Sequence, residues 1–302
     1  MREPIVDAWR RLRDWVQGTE QHERTRESVG AMLARQVAQV RHPASLATVE
    51  FRVHSQFGDD GIIQWLTAKL PGIPKLFVEF GVEDYTESNT RFLMVNNGWR
   101  GFVMDGSPHN IARLRRRPWF WLHDLATRAC FVTRENVDRE IANWAAGRDV
   151  GLLHIDVDGN EYWLWDAIES IVPAIVIMEY NAVFGPERPV TIPYNANFRR
   201  LEAHHSGQYY GASIAALTHL AHTKGYALIG TNSAGNNVYF VHRDHLNDEI
   251  REIGIAPAYA LQTFRGSHDA SGRLDFRDHS GMQASIRGLP VVDVVANRTE
   301  PF

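Results

Sequence analysis

The chain has 302 residues, of which 44% are hydrophobic and 23% charged, and its formal net charge is −4 at pH 7. These values are typical of a globular protein, and the slight negative charge gives no electrostatic reason to expect a nucleic-acid partner. The single cysteine excludes an intrachain disulfide and a cysteine-rich metal site. The N-terminus has no signal-peptide hydrophobic region and no apolar run long enough to span a bilayer, so we expect a cytoplasmic protein.

Residues 1–54 predict a helical extension. Two sets of apolar residues recur at helical spacing, namely Ile5, Trp9, Leu12 and Val16, and then Val29, Leu33, Val37 and Val40. We expect two amphipathic helices that pack either on the main domain or on a partner chain, which makes a homodimer plausible.

Residues 55–245 predict a doubly wound α/β domain. Apolar runs of strand length alternate with helical patterns, as in a parallel sheet covered on both faces. The runs are LFVEF, GFVMD, CFVT, GLLHID and AIVIMEY, and the helical patterns between them cover residues 86–97, 108–116, 134–146 and 160–171. The pattern predicts a Rossmann-like, mostly parallel sheet.

The predicted sheet ends in a hairpin. After a helix over residues 212–224, the β-rich runs YALIGTN and NVYFVH are separated by a short polar turn. A parallel crossover needs about a dozen residues, so these two strands are expected to be antiparallel, giving seven strands in all. Residues 246–302 predict a loop-rich decoration without an assignable fold.

Acidic residues close most of the predicted strands. They are, in chain order, Glu79, Asp105, Asp156 and Glu179. Ligands of open α/β sheets bind beyond the carboxyl ends of the strands, so these side chains are expected on one rim. A single acid there is commonly a helix cap or a solvated loop residue. Four like charges in one cleft cost free energy unless a ligand, a cation or hydrogen bonds compensate.

The loop after the first strand discriminates between nucleotide-like ligands. A dinucleotide needs a three-glycine turn for its pyrophosphate, yet Asp84 and Tyr85 stand where glycines should follow Gly81. S-adenosylmethionine carries no phosphate and needs a close backbone and an acid near its ammonium group. Asp105 stands where an acid meets ribose hydroxyls. The loop therefore disfavours an NAD-dependent oxidoreductase and tolerates a methyl donor.

Five segments together carry a family resemblance. In order and spacing, the chain from Ser55 to His242 resembles the FkbM-type branch of the class I S-adenosylmethionine-dependent methyltransferases, through SQFGDDG, FVEFGVEDYTESNT, GFVMDGS, LLHIDVDGNEYW and IVIMEYNAVFG. The resemblance implies an O-methyltransferase acting on a sugar or sugar-containing metabolite. The alternatives are a methyltransferase with a non-sugar acceptor, such as a phenol, carboxylate or amine, and a non-catalytic nucleotide-binding scaffold of the same fold.

The resemblance also implies a cofactor site. Glu79 and Gly81 would line the methionine moiety, Asp105 would hold the ribose, and Asp124 or its neighbours would approach the adenine. The full set is Gln56, Glu79, Gly81, Asn89, Asp105, Gly106, Ser107, Asp124 and Asp156. Gln56 has an alternative role in hydrogen bonding to the following helix, and Asn89 has one in local capping.

The candidate catalytic residues are Asp156, Asp158 and His205. A sugar hydroxyl must lose its proton during methyl transfer, and a carboxylate or histidine can accept it. Alternatively, Asp156 and Glu179 hold Mg²⁺, which would orient the acceptor's hydroxyls, while Asp158 only forms an Asx-turn. His205 belongs to a long segment, residues 181–210, that is expected to overhang the rim.

Overall fold

The computed structural model describes residues 21–302. The first predicted amphipathic helix, with Ile5, Trp9, Leu12 and Val16, lies outside these residues. The second is present as α1, a helix through residues 21–37. Its buried face consists of Gly30, Ala34 and Val37.

Helix α1 packs on the main domain through a face rotated from the predicted one. Val29, expected inside, is half exposed, whereas the side chains of Val53 and Phe92 lie so close to Gly30 that a Cβ there would overlap them. The helix is also held by charge, because Glu23 pairs with Arg91. The close approach of the backbone at Gly30 decides which face is buried.

The remaining elements alternate largely as expected. The helices are α2 (Asp59–Lys69), α3 (Arg91–Asn97), α4 (Pro108–Arg115), α5 (Val137–Ala145), α6 (Glu161–Ala167), α7 (Arg200–Ala203), α8 (Ile214–Thr223), α9 (Ile255–Ala258) and α10 (His279–Ile286). The strands are β1 (Leu76–Phe80), β2 (Arg100–Asp105), β3 (Leu125–Ala129), β4 (Leu152–Ile155), β5 (Ile175–Glu179), β6 (Val190–Thr191), β7 (Tyr226–Thr231), β8 (Asn237–His242), β9 (Pro290–Asp293) and β10 (Arg298–Pro301). None of the helices within residues 21–302 has the length and apolar character of a membrane span.

The predicted seven-stranded sheet is confirmed. Its order is β3-β2-β1-β4-β5-β8-β7. The five strands from β3 to β5 are parallel, and β8 runs antiparallel to both β5 and β7. Strands β1, β4 and β5 lie in the middle, which explains their almost wholly apolar sequences. The carboxyl ends of β1, β2, β4 and β5 therefore share one edge.

The third strand differs from the prediction. CFVT is not a strand; β3 is formed by the preceding residues, Leu125–Ala129. This strand pairs only with β2 and lies at the sheet edge, where only Leu125 is fully buried. An edge strand needs no continuous apolar run, so the more apolar CFVT gave a misleading signal.

The C-terminal segment is more ordered than its sequence indicated. Strands β9 and β10 form a second, three-stranded sheet with β6. Met282 and Ile286 of α10 pack there with Val190 and Phe184 in a separate apolar cluster. The proposed boundary near residue 246 remains a prediction, but β6, which precedes it, pairs with β9, which follows it.

Candidate functional site

A cavity of about 860 Å³ lies beyond the carboxyl ends of the parallel strands. The four acids that close β1, β2, β4 and β5 all line it, namely Glu79, Asp105, Asp156 and Glu179. The other predicted cofactor residues on its wall are Gln56, Gly81, Asn89, Gly106 and Ser107. The volume falls in the range of small-molecule sites. The sheet thus gathers most of the predicted residues at one cleft.

At one end of the cleft, Asp105 closes β2, and hydrogen bonds from the protein hold its carboxylate in place. One oxygen accepts the backbone N–H of Ser107 at 2.8 Å and the side-chain amide of Asn110 at 3.1 Å. The other accepts the backbone N–H of Glu83 at 2.9 Å. A carboxylate has about four lone-pair positions, so Asp105 keeps capacity for one further hydrogen bond. Phe131, which follows β3, packs beside Gly106 and completes this end.

Glu79 is engaged by the protein on both oxygens. Oε1 accepts the backbone N–H of Asn89 at 3.1 Å and pairs with His154 Nδ1 at 3.0 Å. Oε2 accepts the hydroxyl groups of Ser88 and Thr90. His154 and the hydroxyl donors hold the pKa of Glu79 below its usual range, although burial opposes them. Glu79 thus fixes the loop at the cleft wall.

Gly81 occupies a close approach between two strand ends. Its φ is +74°, and a Cβ there would overlap the carbonyl oxygen of Asp156. Further along the loop, Glu83 and Tyr85 also have positive φ, although neither is glycine. The loop thus bends without a second glycine, and the buried Tyr85 hydroxyl meets that of Thr90 at 2.7 Å.

The other end of the cleft combines aromatic, amide and charged groups. Phe57 and Phe264 stack with ring centroids 5.9 Å apart, and Asn236 and Asn237 also line the wall. Arg200 enters from α7. These groups lie on the β4-β5-β8 side of the sheet, whereas Asp105 lies on the β2-β3 side.

Two buried carboxyl groups and one partly buried carboxyl group meet at the floor between β4 and β5. They are Asp156, Glu161 and Glu179, with one oxygen of each within 4.8 Å of the others. Burial and the charge of Asp158 raise the pKa of Asp156 to about 6. Burial likewise raises the pKa of Glu161 to about 7 and that of Glu179 well above its usual value.

The turn after β4 is organised by Glu161 rather than by Asp158. Glu161 Oε1 accepts the backbone N–H groups of Val157 and Gly159 at 3.1 and 2.7 Å. Asp158 is exposed and instead accepts a hydrogen bond from Arg200 at 2.8 Å. The side chain that organises this turn is therefore that of Glu161, the first residue of α6, and not that of Asp158.

Sequence reasoning missed Glu161, Arg200 and Phe264. Glu161 carried one usable signal, since it follows the acid-rich strand end at the start of a helix. Arg200 and Phe264 come from distant segments, and no sequence signal pointed to either of them.

Two predicted residues lie away from the cleft. Asp124 precedes β3, at the opposite edge of the sheet, and its exposed carboxylate pairs with Arg100 at 3.4 Å. A residue at the amino end of a strand cannot reach a ligand bound beyond the carboxyl ends. His205 is exposed, stacks on His204 and is not on the cleft wall. The overhanging segment instead contributes Phe198, Arg199 and Arg200 to the wall.

Comparison with known proteins gives only distant similarity. No family model and no curated protein sequence matches the chain significantly. Among solved structures, the N-terminal domain of EvdMO1 with SAH bound is similar at 12% identity and a TM-score of 0.39, over 63% of this chain and 82% of that one. The O-methyltransferase from Bacillus cereus in complex with SAH is similar at 14% identity and a TM-score of 0.39, over 70% of this chain and 90% of that one. With TM-scores below 0.5, these similarities support no conclusion about activity.

Proposed function

We propose that the chain is an S-adenosylmethionine-dependent O-methyltransferase that methylates a hydroxyl group of a sugar or sugar-containing metabolite. The supporting observation is the acid-lined cleft at the carboxyl edge of a confirmed seven-stranded sheet, with Asp105 at one end and an aromatic and amide wall at the other. The choice of S-adenosylmethionine as the donor rests on the family resemblance of the five sequence segments.

The donor end suits a cationic ligand without phosphate. Among the residues that the structure describes, Glu83 and Asp105 outnumber the one guanidinium at this end, that of Arg199, which lies 5.5 Å from the centre of the Phe131 ring. The excess negative charge would repel a pyrophosphate and attract a sulfonium ion and an ammonium group. Asp105 has a remaining lone pair for a ribose hydroxyl, and Phe131 provides an apolar face beside it. The residues present therefore fit the donor.

The transfer itself requires alignment and a proton acceptor. When bound, S-adenosylmethionine supplies an electrophilic methyl group on sulfur. Asp156 lies where the two ends of the cleft meet, and its raised pKa makes it a stronger proton acceptor than an ordinary aspartate. We propose that the carboxylate of Asp156 hydrogen-bonds the reacting hydroxyl and receives its proton.

The acceptor end suits a carbohydrate. The Phe57 and Phe264 rings present apolar faces, while Asn236, Asn237 and Asp158 supply hydrogen-bonding groups. This combination matches a sugar ring, which has apolar faces and a polar perimeter. A phenol would use the aromatic rings but few of the amide groups.

Calorimetric titration with S-adenosylhomocysteine, with NAD as the comparison ligand, tests the donor half. We expect binding by the wild-type protein and about 10- to 100-fold weaker binding by Asp105→Ala, because hydrogen bonds to a charged group are lost. Asp124→Ala is the matched control, since Asp124 lies at the opposite edge of the sheet, and should bind like wild type. Binding of NAD alone, or equal affinity in Asp105→Ala, would contradict the donor assignment.

Turnover of a panel of sugar and phenol acceptors tests the second half. Asp156→Asn should leave S-adenosylhomocysteine affinity close to the wild-type value and lower turnover by about 10²- to 10⁴-fold. Donor binding without transfer to any acceptor would instead favour the scaffold alternative. Transfer to phenols but not to sugars would overturn the acceptor class.

A further inference from the structure

The carboxyl groups of Asp156, Glu161 and Glu179 form a cluster that the protein leaves partly unsatisfied. Glu161 is 0% and Glu179 is 6% exposed. Oε2 of each is buried without a hydrogen-bond partner among the described residues. A buried oxygen of this kind costs about 1–3 kcal/mol, and more for a charged group. Such a cost points to a group that the protein alone does not provide.

A second unpartnered group lies beside the cluster. The hydroxyl of Tyr210, 1% exposed, has no hydrogen-bond partner among residues 21–302, and the charges of Glu179 and Glu161 act on it. The neighbouring Gly211 also faces the cluster, since a Cβ there would lie 3.2 Å from Glu161 Oε2. Loop and strand ends thus converge on one polar site.

The positive charge near the cluster is small. The Arg200 guanidinium stacks on the Tyr210 ring at 3.5 Å, lies 3.8 Å from Glu179 and donates to Asp158 at 2.8 Å. Among residues 21–302, one guanidinium therefore faces the three clustered carboxyl groups and Asp158. Excess negative charge remains when these carboxyl groups are ionised.

We infer that Asp156, Glu161 and Glu179 bind one divalent cation at the floor of the cleft. Hard cations such as Mg²⁺, Mn²⁺ and Ca²⁺ prefer carboxylate oxygens, and one oxygen of each of these three groups lies within 4.8 Å of the others, close enough for one ion to contact all three. The third ligand, Glu161, was not recognised in the sequence. Its Oε1 is anchored by two backbone N–H groups, so Oε2 is pre-positioned toward the ion.

The cation would act on the acceptor side of the proposed reaction. Asp156 and Glu179 line the cleft, so open coordination positions would face the acceptor. A coordinated hydroxyl would lose its proton more readily, and the proton would pass to the oxygen of Asp156 that does not bind the ion. This role rests on the proposed function, whereas the cation site itself does not. A direct base role requires Asp156 alone, while the cation role requires Glu161 as well.

Binding of Mn²⁺ to the full-length protein, followed by the loss of the free-ion electron paramagnetic resonance signal, tests the site. We expect one Mn²⁺ per chain, displaced by Mg²⁺ or Ca²⁺, and at least about tenfold weaker binding by Glu161→Gln. Glu202→Gln removes an exposed carboxylate from the nearby α7 and serves as the matched control with wild-type binding. No Mn²⁺ binding by the folded wild-type protein, or unchanged binding by Glu161→Gln, would overturn the site.

Thermal unfolding with and without Mn²⁺ gives a second readout. Glu161→Gln can keep its two backbone hydrogen bonds and places an amide donor where Oε2 has no partner. We therefore expect the metal-free variant to melt at or above the wild-type temperature, and Mn²⁺ to stabilise only the wild type. If Glu161→Gln does not fold, we expect the same two results from Glu179→Gln. Equal stabilisation of wild type and variant would show that Mn²⁺ binds elsewhere.

Parallel titration with S-adenosylhomocysteine separates this inference from the donor proposal. Asp105→Ala should lose donor affinity and keep Mn²⁺, and Glu161→Gln should show the reverse. Loss of both ligands in both variants would indicate a general structural defect and overturn the separate cation site.

Discussion

Among single residues, Gly81 is the subject of the most specific prediction. Gly81→Ala must accommodate a Cβ against the Asp156 carbonyl at a φ of +74°. Gly98 is a matched control, since it has a φ of +66° and open space around its Cβ position. We expect Gly98→Ala to lower the free energy of unfolding by about 1 kcal/mol through backbone strain. Gly81→Ala should cost about 1–3 kcal/mol more because of overlap.

Urea unfolding of the two variants and the wild type measures this difference. Equal destabilisation would show that the β1 and β4 loops can separate at no cost. In that case Gly81 would not be needed to hold Asp156 in place.

Helix α2 provides a prediction about pH, because its first turn holds the loop that carries Gln56 and Phe57 into the cleft. Asp60 Oδ2 accepts the backbone N–H groups of Val53, His54 and Ser55 at 2.7–2.8 Å. Burial nevertheless raises the pKa of Asp60 to about 6, from 3.8. The pKa of Asp60 is higher in the folded than in the unfolded protein. Protonated Asp60 therefore stabilises the fold fully below pH 4, and this contribution is lost as the pH rises through 6.

Asp60→Asn should remove this pH dependence. Between pH 4 and pH 7, the free energy of unfolding of the wild type should fall relative to that of the variant by on the order of 2 kcal/mol. Chemical denaturation of both proteins at several pH values measures this difference in the free energy of unfolding. A stability difference that stays constant over this range would show that Asp60 ionises in the folded protein with an ordinary pKa.

At the scale of the whole molecule, the two ends of the cleft should respond separately to substitution. Phe131 lies at the Asp105 end, while Phe264, from the C-terminal segment, stacks on Phe57 at the other. Phe131→Ala should weaken S-adenosylhomocysteine binding. Phe264→Ala should leave that affinity unchanged and raise the acceptor KM.

Calorimetry and steady-state kinetics on both variants check this separation. The two substitutions remove the same side chain and so serve as mutual controls. Weaker donor binding in Phe264→Ala would place the donor across the whole cleft and contradict the proposed division.

The sheet and the acids at its edge could be predicted from the amino-acid sequence. Buried parallel strands must be apolar, and their carboxyl ends meet at one edge, so Glu79, Asp105, Asp156 and Glu179 could be placed together from their positions in the chain. The hairpin followed from the short turn before Asn237. These inferences depend on local patterns and on one rule of topology.

The other groups that reach that edge could not be predicted, because packing between distant segments brings them there. Asp124 was misplaced because β3, an edge strand, lacks the apolar signal that would fix its start. Arg200 and Phe264 reach the cleft from segments distant in sequence, and Glu161 joins the carboxyl cluster at its floor because of the turn after β4. These positions depend on packing between segments that have no local periodicity. The contacts that fix them form only in three dimensions, so a linear sequence pattern does not encode them.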